Sequence, residues 1–143
     1  MALREGFTLE SMQDRGVGKL PGLLGIKLLS VAEGLLVAEI KIEPHHHAPN
    51  GFLHAGTVVT LADTMCGYGC VSHLPEGAKG FTTVELKSNH LGTALDGTIY
   101  VEARPLHLGR STQLWDAVVR HRETARTIAL FRCTQMVLWP LEK

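Results

Sequence analysis

The feature that most limits the fold is the stretch AGTVVTLADTMCGYGCVSH, residues 55–73. It reads as one helix of nearly five turns, apolar around most of its circumference and containing Gly67 and Gly69. A helix of that kind has to be covered on several sides. No second long helical segment is available to cover it, because the rest of the chain reads as strands. Four runs follow it: FTTVELKSNHL, GTIYVEARPLHL, TQLWDAVVRH and TIALFRCTQMVLW. GRS separates the second from the third and RETAR the third from the fourth; both are short, polar and hairpin-like. Two alternating runs precede the helix, joined at Glu33-Gly34 and ended by Pro44. The N-terminal FTLESMQDRGVG reads as a short helix over about 8–15, closed by Gly16 and Gly18 and broken by Pro21. Thr8 and Ser11 there do not read as a capping box. With no further helices to serve as crossovers, the last three strands must form an antiparallel meander. The expectation is a single α+β domain spanning residues 1–143, an antiparallel sheet wrapped around one long helix.

Composition narrows the function. Fourteen basic and fourteen acidic side chains cancel, so the chain as a whole attracts neither nucleic acid nor an anionic membrane. A phosphate-bearing ligand would therefore need a local cluster of cations. Three cysteines in apolar surroundings (Cys66, Cys70 and Cys133), without a signal peptide, point to buried thiols in a reducing cytoplasm. No apolar run reaches the ~20 residues of a membrane-spanning helix. Against this bland background Asp63 stands out. It sits among Val59, Leu61, Ala62, Met65 and Cys66, where an ionised carboxylate needs a partner or a role.

The segment GFLHAGTVVTLADTMCG resembles the signature of hotdog-fold acyl-CoA thioesterases of the phenylacetate (PaaI-like) type. In that family a Gly-x-x-His-Gly-Gly turn opens the central helix and an acid follows nine positions after the histidine. TTVELKSNHL and PLHLGRST resemble the family's later strands, and the likeness covers roughly residues 20–139. Two positions depart from it. Ala55 stands in place of the second motif glycine. The asparagine often found six positions before the histidine falls on Ala48, with Asn50 only four before it.

The resemblance implies hydrolysis of an acyl-CoA to free acid and coenzyme A. The backbone N–H of Ala55, with Gly56 beside it, would stabilise the oxyanion at the helix start. Asp63 would act as general base or nucleophile, and His54 would fix the turn, polarise the thioester carbonyl or serve as base. Thr83 matches a position where relatives carry a hydroxyl that orients water, with Thr82 as its competitor. Asn50, Gly67 and Phe52 join them as candidate substrate contacts, and Leu53, Met65 and Tyr68 as candidate acyl-pocket residues. Asp63 lies eight residues beyond Ala55, ~12 Å along the helix. A carboxylate so far away cannot act on a carbonyl held at its own helix start, so the reading requires two antiparallel helices from two subunits. A homodimer, or a dimer of dimers as a homotetramer, follows.

Arg110, in the GRS hairpin, is the candidate phosphate contact, with Lys87, Arg104 and His107 as neighbours. His45, His46 and His47 invite a metal, yet consecutive histidines point in different directions and no acid or cysteine completes a set. The reading therefore takes no cofactor and no metal. Two other classes share the fold: an acyl-thioester hydratase or dehydratase, and a non-catalytic acyl-thioester binding module.

Overall fold

The computed structural model describes residues 2–142. Its elements run α1 (Leu9–Asp14), α2 (Leu20–Leu23), β1 (Lys27–Ala32), β2 (Leu35–Lys41), a 3-10 turn (Pro44–His46), α3 (Ala55–Ser72), β3 (Gly80–His90), β4 (Thr98–Leu108), β5 (Thr112–His121) and β6 (Thr127–Leu138). All six strands join one antiparallel sheet in the order β1-β2-β4-β5-β6-β3. Strands β4, β5 and β6 form the expected meander. The sheet wraps α3, which packs against β2, β4, β5, β6 and β3. This is the hotdog fold.

Local chemistry explains the element ends, twice against expectation. Thr8 and Ser11 do form a capping box: Ser11 N–H donates to Thr8 Oγ1 at 3.1 Å and Thr8 N–H to Ser11 Oγ at 2.9 Å. A serine hydroxyl reaches back as the longer acidic side chain normally does. Pro21 does not merely break the chain but lies in the first turn of α2, where a backbone N–H has no helical acceptor to lose. The Glu33-Gly34 turn joins β1 to β2 with Gly34 at φ 73°, a left-handed conformation that favours glycine. Helix α3 stops at Ser72, one residue earlier than expected. His73 caps it: Nδ1 donates to Gly69 O at 2.8 Å while Nε2 accepts from Gly34 N–H at 3.0 Å. That neutral ring ties the helix end to the β1–β2 turn.

The two sheet edges differ. The free edge of β1 is covered by α1, whose Gln13 side chain accepts from Leu28 N–H and donates to Ile26 O. Nothing among the described residues covers β3 in this way. It is an eleven-residue edge strand with exposure on both faces, including Val84 and Leu86. Open edges of this length are templates for pairing with another chain. Helix α3 is likewise covered on one side only. Val58, Leu61, Ala62, Met65, Cys66, Gly69 and Cys70 are buried against the sheet, whereas Thr60, Asp63, Thr64, Gly67 and Val71 form a half-exposed stripe beside β3. No helix among the described residues is long and apolar enough to cross a membrane.

Helix and sheet approach closely at Gly69. A Cβ there would lie 2.5 Å from Cζ3 of Trp115. That indole is fully buried and held by a 2.8 Å bond from Nε1 to Gln113 Oε1, so it cannot swing aside. Gly69→Ala should therefore destabilise the protein by about 1–3 kcal/mol, despite alanine's better helix propensity. Denaturant unfolding that shows a neutral or stabilised variant would mean the helix can lift off the sheet without cost.

Candidate active site

The start of α3 is held by the histidine run. His46 is buried, with Nδ1 accepting from Glu43 N–H at 2.9 Å and Nε2 donating to Leu24 O at 2.7 Å. Burial lowers its pKa, in keeping with this neutral ring. Its carbonyl then accepts from His54 N–H at 2.9 Å and from Thr57 Oγ1 at 3.1 Å. His47 Nε2 bonds to Leu95 O, while His45 is exposed and lies 3.7 Å from Glu43. The run thus anchors loops. No group of three or more His, Cys, Asp or Glu among the described residues is placed to hold a metal ion.

His54 is the N-cap of α3. Its Nδ1 accepts from Gly56 N–H at 2.7 Å. Two consequences follow for the candidate roles. Gly56 cannot be a free oxyanion donor, because its N–H is already bonded; Ala55 is left as the amide with no acceptor among the described residues. With Nδ1 an acceptor, the ring proton sits on Nε2, where it can be donated to a carbonyl oxygen. A general-base role would need that nitrogen bare and Nδ1 protonated, which the Gly56 bond opposes. Ala55 and His54 are both exposed, as a docking point for substrate requires.

Asp63 lies two turns away and lines a cavity of about 320 Å³ with Arg15, Pro21, Thr64, Gly67, Tyr68 and other residues of the same face. Its Oδ1 is buried and has no hydrogen-bond partner among the described residues. Burial is also what raises the carboxyl above its ordinary pKa. Thr83 lines the same cavity, and its hydroxyl donates to Gln135 Oε1 at 2.6 Å. Thr83 Oγ1 therefore offers only lone pairs to anything in the cavity, such as the second proton of a water. Thr82 faces the other side of the pleat. Gly67 borders the cavity where a Cβ would come within 3.3 Å of Phe81 Cζ.

The remaining candidates lie elsewhere in the single chain. Asn50 Oδ1 accepts from Phe52 N–H at 3.1 Å, an Asx turn that shapes the loop before the helix. Phe52 lines a separate cavity with Leu95 and His121. Leu53 and Met65 belong to the core rather than to a pocket. The Arg110 guanidinium stacks 4.1 Å from the Trp139 ring centroid in the β4–β5 hairpin. Of the expected basic neighbours only His107 stays in the hairpin, its ring within 2.5 Å of where a Cβ on Gly109 would lie; Arg104 pairs with Glu102 at 2.9 Å, and Lys87 sits on the outer face near Asp116 and Arg132. One chain thus presents, separated along α3, a helix start whose Ala55 amide has no acceptor among the described residues and a carboxylate in a cavity.

The model of the thioesterase superfamily matches residues 50–128, which include both Ala55 and Asp63. The chain belongs to the thioesterase superfamily. It is 31% identical over 111 residues to a 1,4-dihydroxy-2-naphthoyl-CoA hydrolase of Listeria monocytogenes, covering 78% of this chain and 89% of that protein. It is 33% identical over 119 residues to the proofreading thioesterase EntH of Klebsiella pneumoniae, covering 83% and 86%. A crystal structure of a variant of thioesterase PA1618 from Pseudomonas aeruginosa superposes with a TM-score of 0.90 at 26% identity, over 96% of this chain and 99% of that one. The protein is a thioester hydrolase with a hotdog fold.

Several residues of this thioesterase that shape the helix start and the Asp63 cavity carry no recognisable sequence signal. Gln135 is fully buried on β6 and orients Thr83 from 52 positions away. Thr57 and His46 fix the helix start from a loop whose histidines look like a metal motif. Arg15 reaches the Asp63 cavity from the end of α1.

The raised Asp63 pKa makes a stability prediction. A carboxyl that binds its proton more tightly in the folded state costs stability as pH rises from the ordinary carboxylate range through the raised value. The cost is complete above that window and absent below it. Asp63→Asn keeps the volume and removes the charge. Its melting temperature should match or exceed that of the wild type at pH 7, and the difference should vanish near pH 3. A clear loss of stability at pH 7 would show that the carboxylate holds the fold together.

Proposed function

We propose that this thioesterase hydrolyses acyl-CoA at a site shared by two copies of the chain. The reading is carried by one observation: a carboxylate with an unpartnered buried oxygen faces a cavity beside a hydroxyl that can only accept. Such a carboxylate is not there for stability. In the proposed step Asp63 removes a proton from water, Thr83 accepts that water's other hydrogen bond, and the oxygen adds to the thioester carbon. The developing oxyanion is met by the Ala55 N–H and the positive end of α3, with His54 Nε2–H beside it. When the C–S bond breaks, the proton held by Asp63 passes to the departing thiolate, which leaves free acid and coenzyme A.

The site is proposed to be shared because the two half-sites lie ~12 Å apart on one helix. The half-exposed stripe of α3 and the open β3 edge lie side by side, so one twofold contact along β3 would cover both and set the helices antiparallel. The chain would act as one hotdog domain per subunit, in a dimer or a dimer of dimers. Arg110 remains the proposed nucleotide contact on its exposed hairpin. The free, buried cysteines fit a reducing compartment such as the cytoplasm. A hydratase is disfavoured because the Nδ1 of His54 is held by Gly56, and a mere binding module because Asp63 faces open space.

Two substitutions test the chemistry. Ala55→Pro removes little besides the amide proton: proline fits the first helical position, and His54 already has the extended conformation (φ −70°, ψ 132°) that precedes proline. It should lower kcat by about 10²–10³-fold, the cost of a lost oxyanion donor. Asp63→Asn should lower kcat by about 100-fold or more. Both are measured by free-thiol release from an acyl-CoA. A folded variant of either kind whose kcat stays near that of the wild type would remove that residue from the mechanism.

A further inference from the structure

The Asp63 cavity is polarised, and its second end has no part in the hydrolytic step. At that end stands Arg15, the C-cap of α1, an exposed cation with no carboxylate within ion-pair distance among the described residues. Beside it is the Tyr68 hydroxyl. A Cβ on Gly16 would lie 3.5 Å from that oxygen, so the phenol abuts the same turn as Arg15. The hydroxyl has no hydrogen-bond partner among the described residues. Burial raises the Tyr68 pKa and the Arg15 charge pulls it back, whereas Asp63 is shifted by burial alone. The cation therefore acts at the tyrosine end of the cavity and leaves the carboxylate end alone. Pro21, Val71 and Phe81 give the space between them apolar walls.

We propose that Arg15 and Tyr68 form an acyl-recognition subsite that selects a compact acyl group ending in a carboxylate. The inference rests on the reading that the thioester carbon is attacked beside Asp63. From there the acyl group extends past Gly67, where the missing side chain leaves room against Phe81, towards Tyr68. The axial rise from Asp63 to Tyr68 is five residues, ~7.5 Å, so an acyl group reaching from one to the other is about the size of a single substituted ring. At that depth a carboxylate meets the planar guanidinium donors and the phenolic O–H together, both otherwise without partners. An alkyl group there would leave the phenol and the cation facing it unpaired, which penalises the wrong substrate as well as favouring the right one. Arg15 is a specificity residue in this account, not a member of the hydrolytic machinery.

The test uses two ligands of nearly equal shape, 4-carboxyphenacyl-CoA and 4-methylphenacyl-CoA, thioethers that cannot be hydrolysed. Binding to the wild-type protein is compared by calorimetry with binding to Arg15→Met and Tyr68→Phe, each checked for an unchanged unfolding midpoint. The carboxylate ligand should bind the wild type at least about 10-fold more tightly, as a charge-assisted contact allows. Arg15→Met should bring the two ligands to parity, and Tyr68→Phe should reduce the preference in part. No preference in the wild type would overturn the subsite. So would an Arg15→Met variant that weakens both ligands equally, which would assign the arginine to the coenzyme they share. Thiol release from 4-methylbenzoyl-CoA is measured separately at saturating substrate, where weaker binding no longer limits the rate, and reports on the hydrolytic reading, so failure of either proposal is recognisable by itself.

Discussion

An eighteen-residue helix with apolar or small residues on nearly every side cannot be fully covered by one sheet. That constraint orders the rest of the molecule. Six strands wrap the face that carries Leu61, Met65 and Cys70 and leave the stripe that carries Asp63 half open. On the covered side Gly69 lets the helix touch Trp115, and on the uncovered side lies Asp63, whose Oδ1 has no partner among the described residues. Burial costs divide the helix into a packed face and a half-open face, and the half-open face borders the sheet edge that, among the described residues, the chain does not cover itself.

The two edges make the same point. Gln13 satisfies the backbone groups of β1 with a single side chain, a common way of blunting an edge strand. No comparable device guards β3, which is longer and carries Val84 and Leu86 in the open. In the shared-site proposal this asymmetry is functional: the contact that would cover the edge would also carry the oxyanion donor of one chain to the base of another. The helix macrodipole then assists catalysis without any side chain at the helix start having to be charged.

Much of the fold was legible because local patterns imposed it. Alternation and polar hairpins marked β4, β5 and β6, Gly34 marked the first turn, and the long apolar run marked α3. The placement of β3 beside β6 was not legible, since strand order depends on which edges remain open after the meander forms. Asp63 could be found because its burial conflicts with its charge. The reduced role of Gly56 could not, because it depends on a rotamer that turns the His54 ring back onto the helix. Gln135 and Arg15 escaped for a related reason: each reaches the cavity from a distant element, and nothing in its neighbouring sequence departs from an ordinary strand or helix end. The serine that closes the α1 capping box shows the same limit at short range, where one hydroxyl did what the usual signature assigns to an acid or amide.

The central claim is that the amide of one chain and the carboxylate of another make one site. The most direct measurement is to co-express Ala55→Pro and Asp63→Asn chains with different affinity tags, purify the mixed dimer through both tags and measure thiol release from an acyl-CoA. Each parent alone should be nearly inactive. In the mixed dimer one site would unite the intact Asp63 with the intact Ala55 and the other would lack both. Activity should therefore return to about half that of a wild-type dimer, with wild-type KM. A mixed dimer no more active than its parents would contradict the account, because it would place both groups of a working site in the same chain.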